Sequence, residues 1–334
     1  MGINRRAFLA SSVALASPVF PGILRHARAA VTLMLAHGAA PTNPRAVAAR
    51  HFASLVEEKT AGAVKVNIAG SEQLGSDAAM LTSLRIGAID FSINSQGPTS
   101  AIIPEMNVLG LPFMFRDAAQ AFRVLQGPVG QTLVDALAAR DLVLLGWWDN
   151  GIRHVTNSKR PIQKPADLRG LKLRVPADAM LTDIFRTLGA TTEQIAFGEL
   201  YLALQQGVVD GQENPLANIE SAKIHEVNRF ISLTGHAWQC NPFMMSPATP
   251  GKLGRPELDA IRAAAEEAGA RQRQSMEEAD LKLLDVFRSR KNVQINEPDR
   301  DALREATASV YDTWKKKPFG RIVQQTIDAV AAAG

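Results

Sequence analysis

From Val31 onward, short strand-like runs take turns with stretches whose apolar residues recur at helical spacing. Such alternation calls for strands joined by crossover helices, so it predicts an α/β chain rather than an all-β sandwich. Val31 to Ala36 is a short apolar run. Asn43 before Pro44 then supplies an N-cap and a first-turn residue, and Val47, Phe52, Leu55 and Val56 follow at helical spacing. Val64 to Ile68 alternates at period two, Ser76-Asp77 opens a helix carrying Met80, Leu81 and Leu84 that stops near Gly87, and Ile89 to Ile93 reads as the next strand. This β-α-β-α-β order with short connections is the start of a doubly wound sheet.

A second unit of the same kind begins at Leu142 to Trp148 and runs through Leu171 to Val175, a helix capped by Asp178 and ended by Gly189, Thr191 to Ile195, a short helix around Leu200 to Gln206, and Val208 to Asp210. Two α/β units predict two lobes. No long Ser- or Pro-rich tether separates them, so strands are expected to join them. From Pro256 to about Arg290 the composition turns to Ala, Glu, Arg and Leu with Gly269 as the lone glycine. That predicts one helix of roughly 30 residues, about 45 Å long at 1.5 Å per residue, which would have to bridge both lobes. A break at Gly269 into two helices is the alternative. Asp299 to Lys315 and Phe319 to Ala333 read as two further helices.

The first 29 residues read as a targeting segment: Arg5-Arg6 with Phe8-Leu9, a mildly apolar run from Ala10 to Ile23, and an A-x-A site at Ala27-Arg28-Ala29. The arginine pair resembles a twin-arginine signal, although Asn4 and Ala10 replace the commoner residues, and the protein is therefore expected in the periplasm. Ordinary secretion is the alternative. This segment holds Arg5, Arg6, Arg25 and Arg28 and no acidic residue, so without it the 37 basic side chains fall to 33, the same as the acidic count. The reading of a polybasic chain built for nucleic acid or membranes loses its support. Cys240 is the only cysteine, which rules out an intramolecular disulfide or a cysteine-based metal cluster.

Two arginines stand in strand-like contexts, Arg153 in Gly151-Ile152-Arg153-His154-Val155 and Arg174 in Leu171-Lys172-Leu173-Arg174-Val175-Pro176. An arginine there needs an anion, supplied either by an internal carboxylate or by a ligand. Asp149 is the nearby candidate partner for Arg153. Trp147 and Trp148 end an apolar strand, and only one of them can point into a cleft. Asn214 before Pro215 has the alternative reading of a turn or helix-start residue, and His37 follows a strand end where ligand contacts gather in open α/β sheets. Glu199 and Glu213 come without a nucleophile motif, a zinc motif or a phosphate loop, so catalysis is not expected; Glu213 is read as orienting Arg174 or the cleft backbone and Glu199 as capping the helix after it. Lys315-Lys316-Lys317 is a solvated helix end.

The segments Gln73-Leu74-Gly75, Leu111-Pro112-Phe113, Asn157-Ser158-Lys159-Arg160-Pro161, Gly170 to Pro176, Phe197-Gly198-Glu199-Leu200-Tyr201 and Asp210 to Pro215 occur in the order found in solute-binding proteins of TRAP transporters, and the chain resembles that family from Val31 to about Ser246. The resemblance implies a two-lobed periplasmic binding protein type II-like fold with a long helix spanning both lobes. It places residues 31–150 with 239–278 in lobe I and residues 151–238 with 279–334 in lobe II. It also implies a non-enzymatic receptor that binds a small organic acid, of sugar-acid or C4-dicarboxylate type, and delivers it to the TRAP permease membrane subunits. An ABC-type or sensor-kinase-coupled carboxylate receptor is the alternative. By the same resemblance Arg174 forms a two-pronged ion pair with the ligand carboxylate, Arg153 supports it, Asn214 hydrogen-bonds the same group and Phe197 packs on the ligand. The first-lobe side varies in the family, and His37, Ser95, Gln96 and Trp148 are the candidates there. The receptor is expected to act as a monomer, without nucleic acid, cofactor or metal.

Overall fold

The computed structural model describes residues 30–334, so the targeting segment expected over the first 29 lies outside the described residues. Nine strands among them form one mixed sheet: β1 (Val31–His37), β2 (Val64–Ala69), β3 (Phe91–Ile93), β4 (Val143–Asn157), β5 (Lys172–Val175), β6 (Thr191–Gln194), β7 (Gly211–Asn214), β8 (Phe230–Met245) and β9 (Gln294–Asn296). The order is β2-β1-β3-β8-β4-β7-β5-β6, with β9 pairing β8. Parallel triplets flank each end, β2-β1-β3 and β7-β5-β6, and the antiparallel pair β8-β4 lies between them.

Local chemistry accounts for the elements. Asn43 caps the helix Pro44–Lys59 by accepting from the Arg45 N–H at 2.9 Å, and Asp178 caps Ala179–Thr187 by accepting from Leu181 N–H at 2.9 Å. Helix Pro44–Lys59 buries Phe52 edge-on against Phe91 and Phe243, with ring centroids 5.4 and 4.8 Å away. Rings buried in this way contribute about 1.5–3 kcal/mol each.

The run from Leu142 to Trp148 and the strand-like run at Gly151 to Val155 are a single 15-residue strand, β4, paired along its length with the 16-residue β8. A register shift between Asp149 and Gly151 bends the pair at its middle, and Gly151 sits at φ +105°, where an L side chain is strained. The bend is also crowded, because a Cβ on Gly151 would lie 3.1 Å from Pro215.

The helix Arg255–Ser289 is unbroken over 35 residues, about 52 Å at 1.5 Å per residue. Its first half buries Ile261, Ala264, Ala265 and Ala268 in the cluster around Phe52, Phe91 and Phe243; near its end Phe287 joins a separate cluster around Leu200, Ile219 and Ile231. Gly269 does not break it. A Cβ there would come within 3.0 Å of Trp148 Nε1, so the glycine makes room for an indole. The single helix expected over Asp299 to Lys315 is instead Arg300–Ala306 and Ala308–Lys315. Thr307 interrupts it: its buried hydroxyl donates to the Leu303 and Arg304 carbonyls at 3.0 Å each and competes with the helical ladder.

Candidate functional site

A cavity of about 240 Å³ opens beyond the carboxyl ends of β2, β3, β5 and β6, where Glu72, Ser95, Pro176 and Phe197 follow those strands. Parallel strands gather their connecting loops and helix N-termini at that edge, which is why α/β sheets bind ligands there. β4 and β7 add Asn150, Arg153 and Asn214, β8 adds Gln239, and the helix Pro44–Lys59 adds Arg45.

Arg153 and Glu213 form a buried, two-pronged pair across the β4-β7 ladder: Arg153 Nε donates to one carboxylate oxygen and Nη2 to the other at 2.7 Å, while Nη2 also reaches the Glu213 carbonyl at 2.8 Å. Burial pushes the Glu213 carboxyl up, but the Arg153 guanidinium and the His236 ring, 3.2 Å away, outweigh it and hold Glu213 below the ordinary carboxylate range. The partner of Arg153 is therefore Glu213. Asp149 instead accepts from Trp238 Nε1 at 2.9 Å, and burial pushes its carboxyl up to about 7. The expectation that Glu213 orients Arg174 is likewise corrected, because its oxygens are engaged by Arg153 and His236.

Arg174 is differently placed. It is 3% exposed, and among the described residues its one side-chain hydrogen bond runs from Nε to the Ile195 carbonyl at 2.8 Å, leaving both η nitrogens without a protein acceptor. Burial pulls its pKa down to about 10, opposed first by Glu213, so it stays charged at neutral pH. The Phe197 ring lies 5.9 Å from its Cζ. Asn214 accepts from Arg153 Nη2 at 3.3 Å and from Asn218 at 3.0 Å and donates one amide hydrogen to Gln212. Its second N–H has no acceptor among the described residues.

Of the residues named from sequence, Arg174, Arg153, Asn214, Phe197 and Ser95 line this cavity; Trp148, His37 and Gln96 do not. Trp148 is fully buried beside Phe243, at 5.1 Å, and against Gly269. Strand alternation sent it to the long helix. The His37 ring packs on Gly70 and accepts from Ala39 N–H at 3.2 Å, and burial, with Arg45 and Arg50 nearby, takes its pKa down to about 3. Gln96 turns under β8 and accepts from Cys240 N–H at 3.1 Å. Glu199 stands at a helix start with no side-chain cap and is exposed.

Arg45, Glu72, Asp77 and Asn218 line the cavity and were not singled out by sequence. Arg45 carried a readable signal, since a cation in the first turn opposes the helix dipole and needs an outside reason to be there. Its Nη1 donates to Asn241 Oδ1 at 3.0 Å. Glu72 Oε2 accepts from Gly198 N–H at 2.8 Å, a bond that crosses the cavity, and Asn43 donates to Asn218 across the same gap at 2.8 Å.

A family model described as bacterial extracellular solute-binding protein, family 7, matches residues 35–317. The chain is 57% identical over 319 residues to protein y4mM of Sinorhizobium fredii, covering 95% of this chain, and it spans 59% of that protein's length. It is 34% identical over 304 residues to the 2,3-diketo-L-gulonate-binding periplasmic protein YiaO of Escherichia coli, covering 90% and 93% of the two chains. The solved structure of the sugar acid binding protein DctPAm of Advenella mimigardefordensis in complex with galactonate matches at TM-score 0.88 and 33% identity, over 91% of this chain and 99% of that one.

Proposed function

The chain belongs to bacterial extracellular solute-binding protein family 7, and on that premise we propose that it binds one small organic acid in the cavity beside Arg174 and delivers it to the membrane subunits of a TRAP transporter. The observation that carries this reading is the pair of unpartnered η nitrogens on a buried, charged Arg174. A planar guanidinium offering two parallel N–H donors matches a carboxylate, and an uncompensated buried charge is costly unless a ligand completes it. In this proposal Arg153, locked by Glu213, adds positive potential, Asn214 donates its second amide hydrogen, and Phe197 walls the site. Ser95 contributes from the opposite side. Relatives that bind 2,3-diketo-L-gulonate and galactonate support an acid of the sugar-acid class.

The arrangement of residues 31–150 with 239–278 as one lobe and 151–238 with 279–334 as the other is part of the proposal, with the bend of β4 and β8 at Gly151 as its hinge. So are a monomeric receptor, no nucleic-acid partner, and export by the twin-arginine route, for which the Arg5-Arg6-Ala7-Phe8-Leu9 run is the support. Thermal-shift screening of the purified protein against an organic-acid library tests the binding reading. Ligand that binds only the native state raises stability as RT ln(1 + [L]/Kd). A melting temperature that no carboxylic acid raises would overturn it.

A further inference from the structure

The Asn43 side chain does more than cap a helix. Its Oδ1 accepts from Arg45 N–H at 2.9 Å at the start of the helix Pro44–Lys59, so its amide nitrogen must face away from that helix. There Nδ2 donates to Asn218 Oδ1 at 2.8 Å and to Ser221 Oγ at 3.2 Å, both on the helix Leu216–Ser221. Asn218, which accepts at its oxygen, spends both hydrogens of Nδ2 on Asn214 Oδ1 at 3.0 Å and Asn150 Oδ1 at 3.2 Å. Asn214 in turn gives one amide hydrogen to Gln212 Oε1, Gln212 Nε2 donates to Thr156 Oγ1 at 2.9 Å, and Thr156 donates to Asn228 Oδ1 at 3.0 Å. All of these side chains are buried.

The run has one direction, because each amide donates to the next and a buried amide turned round leaves its neighbours unpaired. Turning Asn218 over would set its oxygen against those of Asn214 and Asn150, and its nitrogen against that of Asn43. Asn218 also supplies the shorter of the two bonds that Asn214 Oδ1 accepts, at 3.0 Å against 3.3 Å from Arg153. The direction set at the helix cap therefore reaches the cavity beside Arg174, where Asn214 keeps an N–H without an acceptor among the described residues. Asn43 itself is not among the residues that line that cavity.

Resting on the carboxylate-receptor reading above and its two lobes, we propose that Asn43 is a positioning residue for the ligand: through Asn218 it fixes which side of the Asn214 amide the acid meets. On those lobes, residues 31–150 hold Asn43, and residues 151–238 hold Asn214 and Asn218. Opening at the Gly151 bend would part Asn43 from Asn218 and release the Asn214 amide, and closing would restore both. The acid is then held by an amide that is oriented only when the lobes meet, so Asn43 governs how long the ligand stays rather than how fast it arrives. Cap and latch separate by substitution, since serine caps a helix as well as asparagine does but has no amide hydrogens to span the gap.

Isothermal titration calorimetry and stopped-flow tryptophan fluorescence on the purified protein test this. The probe is galactonate or 2,3-diketo-L-gulonate, whichever binds tighter, and if neither binds, the acid with the largest thermal shift in the library. Asn43→Ser is expected to keep the unliganded melting temperature within a few degrees of wild type. It is expected to weaken binding roughly 5-fold or more, as leaving buried amide groups unpaired does, through faster dissociation and with an association rate within about 2-fold of wild type. Asn218→Ala is expected to weaken binding at least as much, and the double variant no more than roughly 2-fold beyond it, because Asn43 acts through Asn218. Losses that add in the double variant overturn the proposal, as does a loss carried by slower association, or wild-type binding by Asn43→Ser. Should that variant not fold, Asn43→Asp keeps the cap and offers Asn218 an acceptor where it needs a donor; a wild-type dissociation rate there overturns the proposal equally. Additive losses with a bound acid sink this inference and leave the receptor reading standing; binding of no carboxylic acid by the wild type sinks the reading beneath it.

Discussion

Arg174 and Arg153 are both buried arginines in strands, yet their surroundings assign them different work. Arg153 is saturated by Glu213, so its removal strips a partner from a fully buried carboxylate and damages the fold as well as the site. Arg174 has unspent donors, so on the proposed function its removal is expected to weaken acid binding more than the fold. Arg174→Lys is expected to leave the unliganded melting temperature within a few degrees of wild type and to weaken acid binding by about 2–5 kcal/mol, the range for breaking a desolvated charge pair. A lysine keeps the charge and loses the parallel pair of N–H donors. Calorimetry that returned wild-type affinity for the lysine variant would remove Arg174 from the site.

At the scale of elements, the helix Arg255–Ser289 carries two positions whose effects run against simple expectation. Gly269→Ala raises helix propensity by about 1 kcal/mol, but the new methyl would meet the fully buried Trp148 at 3.0 Å. Overpacking of that kind costs about 1–3 kcal/mol, so chemical denaturation is expected to show no gain and a net loss. Asp280, on the same helix, is pushed up to about 7 by burial, with the Asp149 charge adding to the shift, and one of its carboxylate oxygens is buried without a partner. Because its folded pKa lies above the unfolded value, the native state binds more protons between about pH 4 and 7, and this group makes the protein less stable as pH rises through that window. Asp280→Asn removes the ionisation. Its advantage over wild type should be small at pH 5 and grow to roughly 1–3 kcal/mol at pH 8, and an advantage independent of pH would show that Asp280 is not ionising in the fold.

For the whole molecule, β4 and β8 lie between the two parallel triplets, with β3 pairing one end of β8 and β7 one end of β4, and they bend together near Gly151, while the long helix packs at both ends of the same span. On the proposed hinge, any opening is expected to be a bending about the strand pair. The Glu72–Gly198 and Asn43–Asn218 hydrogen bonds run between the two sides of the cavity, and on the proposed hinge they would be broken in an open arrangement and made in a closed one. An acid that touches both sides favours that arrangement, so small-angle scattering should show a small fall in radius of gyration when ligand is added, and none in Arg174→Ala. A radius unchanged at saturating ligand would mean a cleft that does not open. Export is a property of the full chain as well. With Arg5→Lys and Arg6→Lys together, precursor is expected to stay in the cytoplasm, and normal processing of that double variant would assign the chain to ordinary secretion instead.

By itself the sequence determined whatever depends on neighbours in the chain. Strand and helix alternation, the Asn43 and Asp178 caps and the long helix are local, because period, capping and propensity act within a few turns. The motif around Arg174 was readable for the same reason. Tertiary structure decided what a given side chain faces. Trp148 left the cleft for Gly269, some 120 residues on, and Arg153 chose Glu213 over the neighbouring Asp149. Arg45, Glu72 and Asn218 entered the site from loops and helix ends that no period marks. A strand's period of two says that alternate residues share a face, but which face meets ligand depends on what packs against the other side, and that is settled only when distant segments fill the core.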